Sequence, residues 1–369
     1  MTEPSGPMRR ALELAREAFG TTSPNPSVGC VIVREGVAVG EGYTQPPGGP
    51  HAEVVALSAA GDAARGATVY VTLEPCSHQG RTPPCTDALI AAGVSEVVYA
   101  IEDRDTRVAG SGHAALKAAG IEVESGDGAE ESARVLEAYI KHRRTGLPFV
   151  VVKYAATLDG RIAASSGDSR WVSGPQTLAW AHSNRPNLDA ILVGASTVVV
   201  DDPQLTARPD GVESERQPLR VVLDSTGRIP ATAKVLVGSS KTLVVTTGRS
   251  SADWRSAIEA TDAEVLVLDA DEDGRVPIRT MLQELGRRGV LLLLVEGGGV
   301  VIGSFFDQRL VDKVTAVIAP MIVGAADAPA AVAGKGAAYM RDAVRLHDVE
   351  VERLGEDILV TGYPAWPGS

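Results

Sequence analysis

The residues best suited to chemistry in this chain form two compact groups. His51 and Glu53 flank a single alanine, and Cys76 and Cys85 both lie in the segment LEPCSHQGRTPPC, residues 73–85. The chain has 3 cysteines in 369 residues, so the placement of two of them in one short segment requires a reason. One imidazole and two thiolates suit Zn²⁺, and a tetrahedral ion with three protein ligands keeps a fourth position open for chemistry. The pattern therefore predicts one catalytic zinc ion per chain, held by His51, Cys76 and Cys85.

Glu53 adds a proton carrier to this group. Zinc lowers the pKa of a bound water towards neutrality, and a neighbouring carboxylate can move the released proton to a leaving amine. Hydrolytic removal of an exocyclic amino group from a pyrimidine needs this combination. The sequence therefore predicts that Glu53 is catalytic.

Two other interpretations of the cysteine pair remain open. The pair could form a disulfide or be inert, although neither explains the His-Ala-Glu group. A closed structural zinc site would need a fourth ligand, for which His78 is a candidate. The general zinc-deaminase signature has two residues between its cysteines, whereas eight, residues 77–84, separate them here. That general pattern alone therefore does not decide the function.

Alternating helices and strands must position these residues. The first part of the sequence predicts, in order, a helix over residues 8–19, a hairpin about Arg34-Glu35-Gly36, a helix AEVVALSAAGDAA, a strand ATVYVTLEP, a helix TDALIAAG, a strand SEVVYAIED, a helix HAALKAAG and a strand IEVES. This alternation predicts an α/β sheet covered on both faces. His51 and Glu53 then lie at the first turn of one helix, and Cys76 follows a strand. Pro83 and Pro84 mark the opening turn of the helix that begins near Cys85.

A charged segment, KHRRTGLP at residues 141–148, separates this part from a second one. We therefore predict two domains, residues 1–146 and 147–369, which agrees with the number expected for this length. The second part repeats the alternation, with strands near FVVVKYAATLDG, DAILVGAS, LRVVLD, KTLVVTT, AEVLVLD, VLLLLVEGGG and KVTAVIAP. No GxGxxG follows a strand there with an acidic residue downstream, so a Rossmann domain is unsupported.

Composition and charge exclude several classes of protein. The net charge is −12 and neither half is basic, which disfavours a protein whose main task is to bind nucleic acid. No apolar run approaches the length of a membrane span, and the first residues show no apolar signal region. We expect a cytoplasmic enzyme acting on a small molecule, with no nucleic-acid or membrane partner.

Several segments carry a family resemblance. TTSPNPSVGCVIV, PHAEVVAL and YVTLEPCSHQGRTPPCTDALI resemble the deaminase half of the bifunctional riboflavin-biosynthesis deaminase/reductases. The resemblance continues through RTGLPFVVVKYAATLDGRIA, GDSRWVSG, ASTVVVDDPQLTAR and LLLLVEGGG, so it covers nearly the whole chain. It implies a cytidine-deaminase-like α/β/α sandwich, residues 1–146, followed by a dihydrofolate-reductase-like α/β domain, residues 147–369.

The resemblance also implies two reactions and their residues. The first is zinc-dependent deamination of 2,5-diamino-6-ribosylamino-4(3H)-pyrimidinone 5′-phosphate, and the second is NADPH-dependent reduction of its ribosyl group to ribityl. A homodimer or higher homo-oligomer is implied as well. The deaminase substrate residues would be Asn25, Ser77, His78, Arg81 and Thr82. In the reductase, Ser169, Arg185, Leu205, Arg208 and Glu296 would bind substrate, and Ala155, Trp171, Thr197, Asp201, Gly297, Gly298 and Gly299 would bind the cofactor. Lys153, on a strand beside the predicted reductase site, is a candidate to supply charge or a proton to the reacting sugar.

Two segments depart from the family pattern. Gly42-Tyr43-Thr44 replaces Gly-aromatic-His, and Asp103-Arg104-Asp105-Thr106 replaces Asp-Pro-Asn-Pro. Neither segment contains a predicted zinc ligand or Glu53, so we expect them to alter ribose and phosphate recognition rather than the reaction. Other hypotheses are an enzyme with only one active half, a zinc-stabilised binding module without turnover, and a nucleic-acid deaminase, which the charge disfavours.

Overall fold

The computed structural model describes residues 3–80, 83–105 and 109–367. The chain divides into two compact units, one ending at Leu147 and the other beginning at Pro148. The charged segment before this division is the last part of a helix rather than an extended linker. That helix ends at Gly146, whose φ of 72° places it in the left-handed region that glycine favours.

The first unit is built on a five-stranded sheet in the order β2-β1-β3-β4-β5. The hairpin strands β1 and β2 are antiparallel, β1 is antiparallel to β3, and β3, β4 and β5 are parallel. The strands are β1 (Gly29–Arg34), β2 (Val37–Tyr43), β3 (Thr68–Leu73), β4 (Glu96–Ile101) and β5 (Glu122–Ser125). The helices are α1 (Gly6–Ala18), α2 (Ala52–Ala60), α3 (Cys85–Ala92), α4 (Ser111–Ala118), α5 (Ala129–Val135) and α6 (Glu137–Thr145), with a 3-10 turn at Gly61–Ala64.

Glycines on the first two strands set how closely the helices approach the sheet. A Cβ at Gly29 would collide with the carbonyl oxygen of Ala11 in α1. A Cβ at Gly42 would lie 2.7 Å from the carbonyl oxygen of Ala52 in α2. Because Gly42 pairs with Cys30, the neighbour of Gly29, these two glycines face opposite sides of the sheet. Helices α1 and α2 therefore cover opposite faces, as the sequence predicted.

The predicted hairpin is confirmed. Glu35 and Gly36 have φ values of 52° and 81°, and a two-residue connection with both residues in the left-handed region matches the twist of antiparallel strands. Cys30 is fully buried within β1.

The second unit contains a nine-stranded sheet in the order β10-β9-β8-β7-β11-β6-β12-β14-β13. The strands from β10 to β12 in this order run parallel, and β14 and β13 are antiparallel additions at one edge. The strands are β6 (Phe149–Thr157), β7 (Ala190–Gly194), β8 (Leu219–Leu223), β9 (Thr242–Thr247), β10 (Ala263–Leu268), β11 (Leu292–Val295), β12 (Lys313–Ala319), β13 (Arg345–Leu354) and β14 (Asp357–Ala365). The helices are α7 (Pro175–Asn184), α8 (Ala195–Asp201), α9 (Ala252–Glu259), α10 (Ile278–Arg287) and α11 (Gly299–Asp307), with 3-10 turns at Arg185–Asn187, Pro209–Gly211, Lys234–Leu236 and Met340–Asp342.

Central strands of this sheet are buried along their whole length. Every residue of β7 and of β9 is buried, as expected for parallel strands covered on both faces. The carboxyl ends of the parallel strands point to one edge, where open α/β sheets bind their ligands. In the described part of the chain, no helix has both the length and the apolar character needed to cross a membrane.

Candidate active sites in the two units

Three predicted metal ligands meet in the first unit. The Nδ1 atom of His51 lies 3.3 Å from the Sγ of Cys85 and 3.6 Å from the Sγ of Cys76. The ligand atoms of all three residues lie within 4.8 Å of one another. His51 precedes the first residue of α2, Cys76 lies in the loop after β3, and Cys85 is the first residue of α3.

The positions of the two cysteines are fixed by backbone contacts. The N–H of Cys85 donates to the Sγ of Cys76 at 3.4 Å, and the N–H of Thr86 donates to the carbonyl of Cys76 at 3.1 Å. Hydrogen bonding from the Cys85 thiol, together with His51 and the Cys85 N–H, lowers the pKa of Cys76 to about 4. A lowered pKa favours the thiolate form of Cys76, and a thiolate is the form that binds metal.

These distances fit a zinc ion. With Zn–S bonds of about 2.3 Å and Zn–N bonds of about 2.0 Å, a tetrahedral site has N–S edges of about 3.5 Å. The observed N–S distances of 3.3 and 3.6 Å lie close to that value. All three cysteines are free, which excludes the disulfide interpretation. Among the described residues, neither His78 nor Glu53 belongs to the ligand group, so a closed four-ligand site finds no support there.

Glu53 lies on the first turn of α2 and is 4% exposed. Burial and the negative charge of Cys76 raise the pKa of its carboxyl group to about 7. It lines the same cavity as His51 and Cys76. Its carboxyl group is therefore placed beside the metal ligands without being one of them.

This cavity has a volume of about 310 Å³. Two of the predicted substrate residues, Asn25 and His78, line it, and the buried Nδ1 of His78 has no hydrogen-bond partner in the described structure. Ser77 is not among the lining residues, and its hydroxyl lies 2.7 Å from that of Ser111. Arg81 and Thr82 lie outside the described residues.

Five further residues that line this cavity were not selected as site residues from the sequence: Glu74, Asp103, Asp105, Tyr139 and Arg143. Asp103 and Asp105 were named there only as departures from the family pattern. Nothing in the spacing of Tyr139 and Arg143, which lie on α6, indicated that this helix reaches the cavity.

A buried ion cluster lies at the carboxyl end of the central strands of the second unit. Glu296 follows β11, and its carboxylate lies 3.3 Å from the Nζ of Lys153 and 3.0 Å from Nη2 of Arg185. Arg185 also donates to the carbonyl of Thr206 at 3.0 Å. Burial would raise the pKa of Glu296, but the two cations outweigh it and hold that pKa at about 2.

Many of the predicted reductase residues border one cavity of about 850 Å³ in this unit. These residues are Lys153, Ala155, Ser169, Thr197, Asp201, Glu296, Gly297, Gly298 and Gly299. The hydroxyl of Ser169 donates to the carboxylate of Asp201 at 3.2 Å, which fixes one wall of the cavity. The glycine turn, which consists of Gly297, Gly298 and Gly299, therefore lines the same cavity as Lys153 and Glu296 of the ion cluster.

Four other predicted residues are not among the lining residues of this cavity. Trp171 is 69% exposed, and Arg208 is held by the side chain of Gln204 at 2.6 Å. The Arg185 guanidinium reaches the site through its contact with Glu296. The Leu205 side chain packs in the core, and its φ of 55° is unusual for a bulky residue, so any ligand contact there would use the backbone.

The space around the glycine turn shows whether a phosphate-bearing cofactor could bind there. Gly297 and Gly299 are required by packing, because a Cβ would collide with Val301 in the first case and with Ala330 in the second. At Gly298, however, the nearest atom to a Cβ would be the hydroxyl of Thr197 at 3.7 Å. Gly298 caps helix α11 and leaves open space at its positive end, which suits an anion.

Three arginines that the sequence analysis did not select also line this cavity. Arg228, Arg249 and Arg275 lie in the loops that follow the adjacent strands β8, β9 and β10. Arg228 donates to the hydroxyl of Ser196, and Arg249 donates to the carbonyl of Gly274. These arginines are far apart in the sequence. They line one cavity because the strands that precede them are adjacent and parallel in the sheet.

Comparison with known proteins agrees with this arrangement. Residues 1–101 match the family model for the cytidine and deoxycytidylate deaminase zinc-binding region, and residues 148–360 match the model for the RibD C-terminal domain. The riboflavin biosynthesis protein RibD of Escherichia coli is 39% identical over 361 residues, which cover 95% of this chain and 96% of the relative. The RibD protein of Synechocystis is 42% identical over 360 residues, which cover 96% and 95% of the two chains.

Solved structures show the same relationship. Acinetobacter baumannii RibD, form 1, has a TM-score of 0.88 and 37% identity, covering 97% of this chain and 98% of that one. A deaminase/reductase from Thermotoga maritima has a TM-score of 0.85 and 33% identity, and the match covers 97% of this chain and 98% of that one. The expected fold class, a cytidine-deaminase-like sandwich followed by a dihydrofolate-reductase-like domain, is therefore confirmed. With a zinc-binding deaminase domain and an NADPH-dependent reductase domain on one polypeptide, the chain belongs to the RibD family of bifunctional riboflavin-biosynthesis deaminase/reductases.

Proposed function

We propose that this enzyme deaminates 2,5-diamino-6-ribosylamino-4(3H)-pyrimidinone 5′-phosphate and then reduces the ribosyl group of the product to ribityl. The observation that carries the proposal is the convergence of His51, Cys76 and Cys85 beside buried Glu53 in one cavity. A binding module without turnover has no need for an unliganded buried carboxyl group at this position. The second unit supplies a separate cavity with its own charged cluster.

In the deaminase site, His51, Cys76 and Cys85 would hold a zinc ion, which would supply activation of a water molecule, the chemistry that a three-ligand site permits. Glu53 would carry a proton to the departing amino group, because its carboxyl group lines the same cavity as the ligands and is shielded from solvent. Asn25 hydrogen-bonds the edge of the pyrimidine, and His78 offers its unpartnered Nδ1. Ser77, Arg81 and Thr82 complete the substrate contacts in this proposal.

In the reductase site, Lys153 acts at the reacting sugar. NADPH supplies the hydride, so the protein contributes alignment and charge placement. The Nζ of Lys153 lies at the cavity and is held by Glu296, which leaves its remaining N–H groups able to donate to the sugar oxygen. Glu296 and Arg185 fix the orientation of this lysine. Ser169, Arg185, Leu205, Arg208 and Glu296 form the substrate side of the site.

Gly297, Gly298 and Gly299 would hold the cofactor in the same cavity. Its pyrophosphate would be bound at the N-terminus of α11, because a helix N-terminus offers N–H groups to an anion and Gly298 leaves room. Ala155, Trp171, Thr197 and Asp201 are the remaining cofactor residues in this proposal. A cavity of about 850 Å³ is large enough for a dinucleotide and lies in the usual range of ligand sites.

Arg228, Arg249 and Arg275, which line this cavity, suit the 2′-phosphate that distinguishes NADPH from NADH. Arginine binds phosphate by paired, charge-assisted hydrogen bonds. We expect Arg249→Gln to raise the KM for NADPH at least 10-fold, as losing one or two such bonds would. The KM for NADH should not change. Calorimetric binding of adenosine 2′,5′-bisphosphate should weaken in parallel, whereas Arg287→Gln on the exposed face of α10 should affect neither measurement.

The two-step proposal is tested by mass spectrometry of products from the zinc-loaded protein. Without NADPH, the phosphorylated substrate should exchange one amino group for oxygen, and with NADPH it should also gain two hydrogens. Exchange alone in both samples would support the alternative in which only one half is active. No exchange, from protein shown to contain zinc, would overturn the deaminase assignment.

Cytoplasmic location and assembly as a homodimer or higher homo-oligomer belong to the same proposal. Both rest on the relationship to the RibD proteins. Light scattering of the purified chain measures the oligomeric state directly. A monomer at the concentration used for activity would contradict the assembly part of the proposal without affecting the reaction.

A further inference from the structure

The lining of the deaminase cavity contains four carboxyl groups among the described residues. Glu53, Glu74, Asp103 and Asp105 line the cavity, and Arg143 is the arginine that accompanies them among the described lining residues. The proposed substrate carries a phosphate group, which is itself strongly anionic. An anionic ligand entering an acidic cavity with low solvent access meets substantial repulsion unless the carboxylates are balanced.

Two of these carboxyl groups are already committed to the fold. Glu74 accepts backbone N–H bonds from Asp103, Gly110 and His113 at 3.0–3.3 Å. Asp103 accepts two hydrogen-bond contacts from the hydroxyl of Tyr139, at 3.1 and 3.2 Å. Their roles in holding loops explain why they are buried.

Asp105, the fourth carboxyl group, faces a cation on α6. It is 7% exposed, and its Oδ2 lies 3.8 Å from the Nε of Arg143 on α6. That Nε is buried and makes no hydrogen bond in the described structure. The pair is thus an ion pair without a direct hydrogen bond, at the wall of the cavity.

Arg143 also contacts the loop that carries a predicted substrate residue. Its Nη2 donates to the carbonyl oxygen of Pro24 at 3.1 Å, next to Asn25. Its guanidinium lies over the Tyr139 ring, 4.9 Å from the ring centre, in a cation–π contact. One side chain therefore links Asp105, the Asn25 loop and the Tyr139–Asp103 pair.

We propose that Arg143 is a positioning residue for deamination, which neutralises Asp105 and anchors the Asn25 loop so that the cavity accepts an anionic sugar phosphate. The inference rests on the proposed function of the first unit and specifies how that site tolerates its substrate. Since Arg143 acts through Asp105 and Pro24, its loss should weaken substrate binding more than turnover.

A double-mutant cycle tests this coupling. We would measure KM and kcat for deamination with zinc-loaded wild type, Arg143→Gln, Asp105→Asn and the double variant. Arg143→Gln should raise KM at least 10-fold with a smaller change in kcat, because it removes the positive charge that faces Asp105. Against the Asp105→Asn background, the same substitution should raise KM less than 3-fold. Arg143→Lys, which keeps the charge, should recover part of the lost affinity.

Three controls make the result specific. Arg144→Gln alters the exposed neighbour on the same helix and should leave KM unchanged. Zinc content and the melting temperature identify a variant that has simply misfolded, and reduction of the deaminated intermediate should stay normal throughout. Equal effects of Arg143→Gln in both backgrounds, or no effect in either, would overturn the inference. Failure of the proposed function looks different, because the wild type itself would then not deaminate the substrate.

Discussion

At the scale of single residues, Glu53 is notable in the first unit because its carboxyl group is buried. Its carboxyl group is buried beside two cysteines and a histidine, and burying the charged form of a carboxyl group disfavours folding. A residue kept there at such a cost is explained by its role in proton transfer. The surrounding geometry depends on backbone contacts of α2 and α3, so removing the charge should leave the ligand group in place.

We therefore expect Glu53→Gln to lower the deamination rate by at least 100-fold, the usual contribution of a positioned acid or base. Zinc content and reduction of supplied deaminated intermediate should remain near the wild-type values. Activity is measured from product masses without NADPH and from NADPH consumption, with the exposed variant Glu122→Gln as a control. Normal deamination by Glu53→Gln would exclude the proton-transfer role.

Glu296 is the corresponding residue in the second unit, and it gives a pH dependence. Its folded pKa of about 2 is below the ordinary glutamate value, so the ion cluster stabilises the fold above about pH 5. The contribution, about 3 kcal/mol at neutral pH, is lost as the pH falls from about 5 to 2. Replacement by glutamine also leaves Lys153 and Arg185 without their counter-ion.

Glu296→Gln should accordingly lower the free energy of unfolding at pH 7 by about 3 kcal/mol, and the difference from wild type should shrink at pH 3. All 4 tryptophans belong to the second unit, so tryptophan fluorescence during urea unfolding reports on this unit. The exposed Glu259→Gln should show no such effect. A difference that is constant across pH would mean that the carboxylate charge does not stabilise the cluster.

At the scale of elements, the position of α2 controls the metal site. Gly40 and Gly42 on β2 allow the helix to lie against the sheet, and this helix carries Glu53 and follows His51. A Cβ at Gly42 would lie 2.7 Å from both the carbonyl oxygen of Ala52 and the N of Ala56. Both are backbone atoms, so the whole helix must move to make room.

Gly42→Ala should therefore weaken zinc binding and destabilise the first unit by about 1–3 kcal/mol, the usual cost of overpacking. Zinc content after dialysis and the ratio of deaminase to reductase activity would both fall. Gly248→Ala is the matched control, because nothing lies within 4 Å of a Cβ there. Full zinc occupancy in Gly42→Ala would show that α2 tolerates displacement.

Much of this element pattern could be predicted from the sequence, because buried strands and amphipathic helices have distinct periodicities. The edge hairpin of β13 and β14 was missed. Val349 and Val351 of β13 are exposed, so the strand has no buried apolar face and is held through backbone pairing with β14. Periodicity reports burial, and it therefore fails for an edge strand of this kind.

The same limit applies to the sites. The zinc ligands could be predicted because their residue types and spacing are specific, and the structure brings them together. Arg143 and Arg249 could not, since an arginine in a charged segment or a loop resembles an ordinary solvated residue. Their significance arises from packing between distant segments, which no local pattern records.

At the scale of the whole molecule, two units with separate cores each contain a cavity and a charged site. The metal ligands all belong to the first unit, whereas Lys153, Glu296 and the glycine turn belong to the second. Each site should therefore depend on its own unit for stability.

Removal of zinc tests that independence. Because the ion joins α2, α3 and the loop after β3, binding contributes directly to the stability of the first unit. After chelation, we expect deamination to fall below detection and the first unit, followed by circular dichroism, to melt at a lower temperature. The tryptophan transition of the second unit and its reduction of supplied intermediate should change little, and added zinc should restore deamination. If the tryptophan transition moved together with zinc occupancy, the two units would unfold cooperatively, and loss of the metal would impair both reactions.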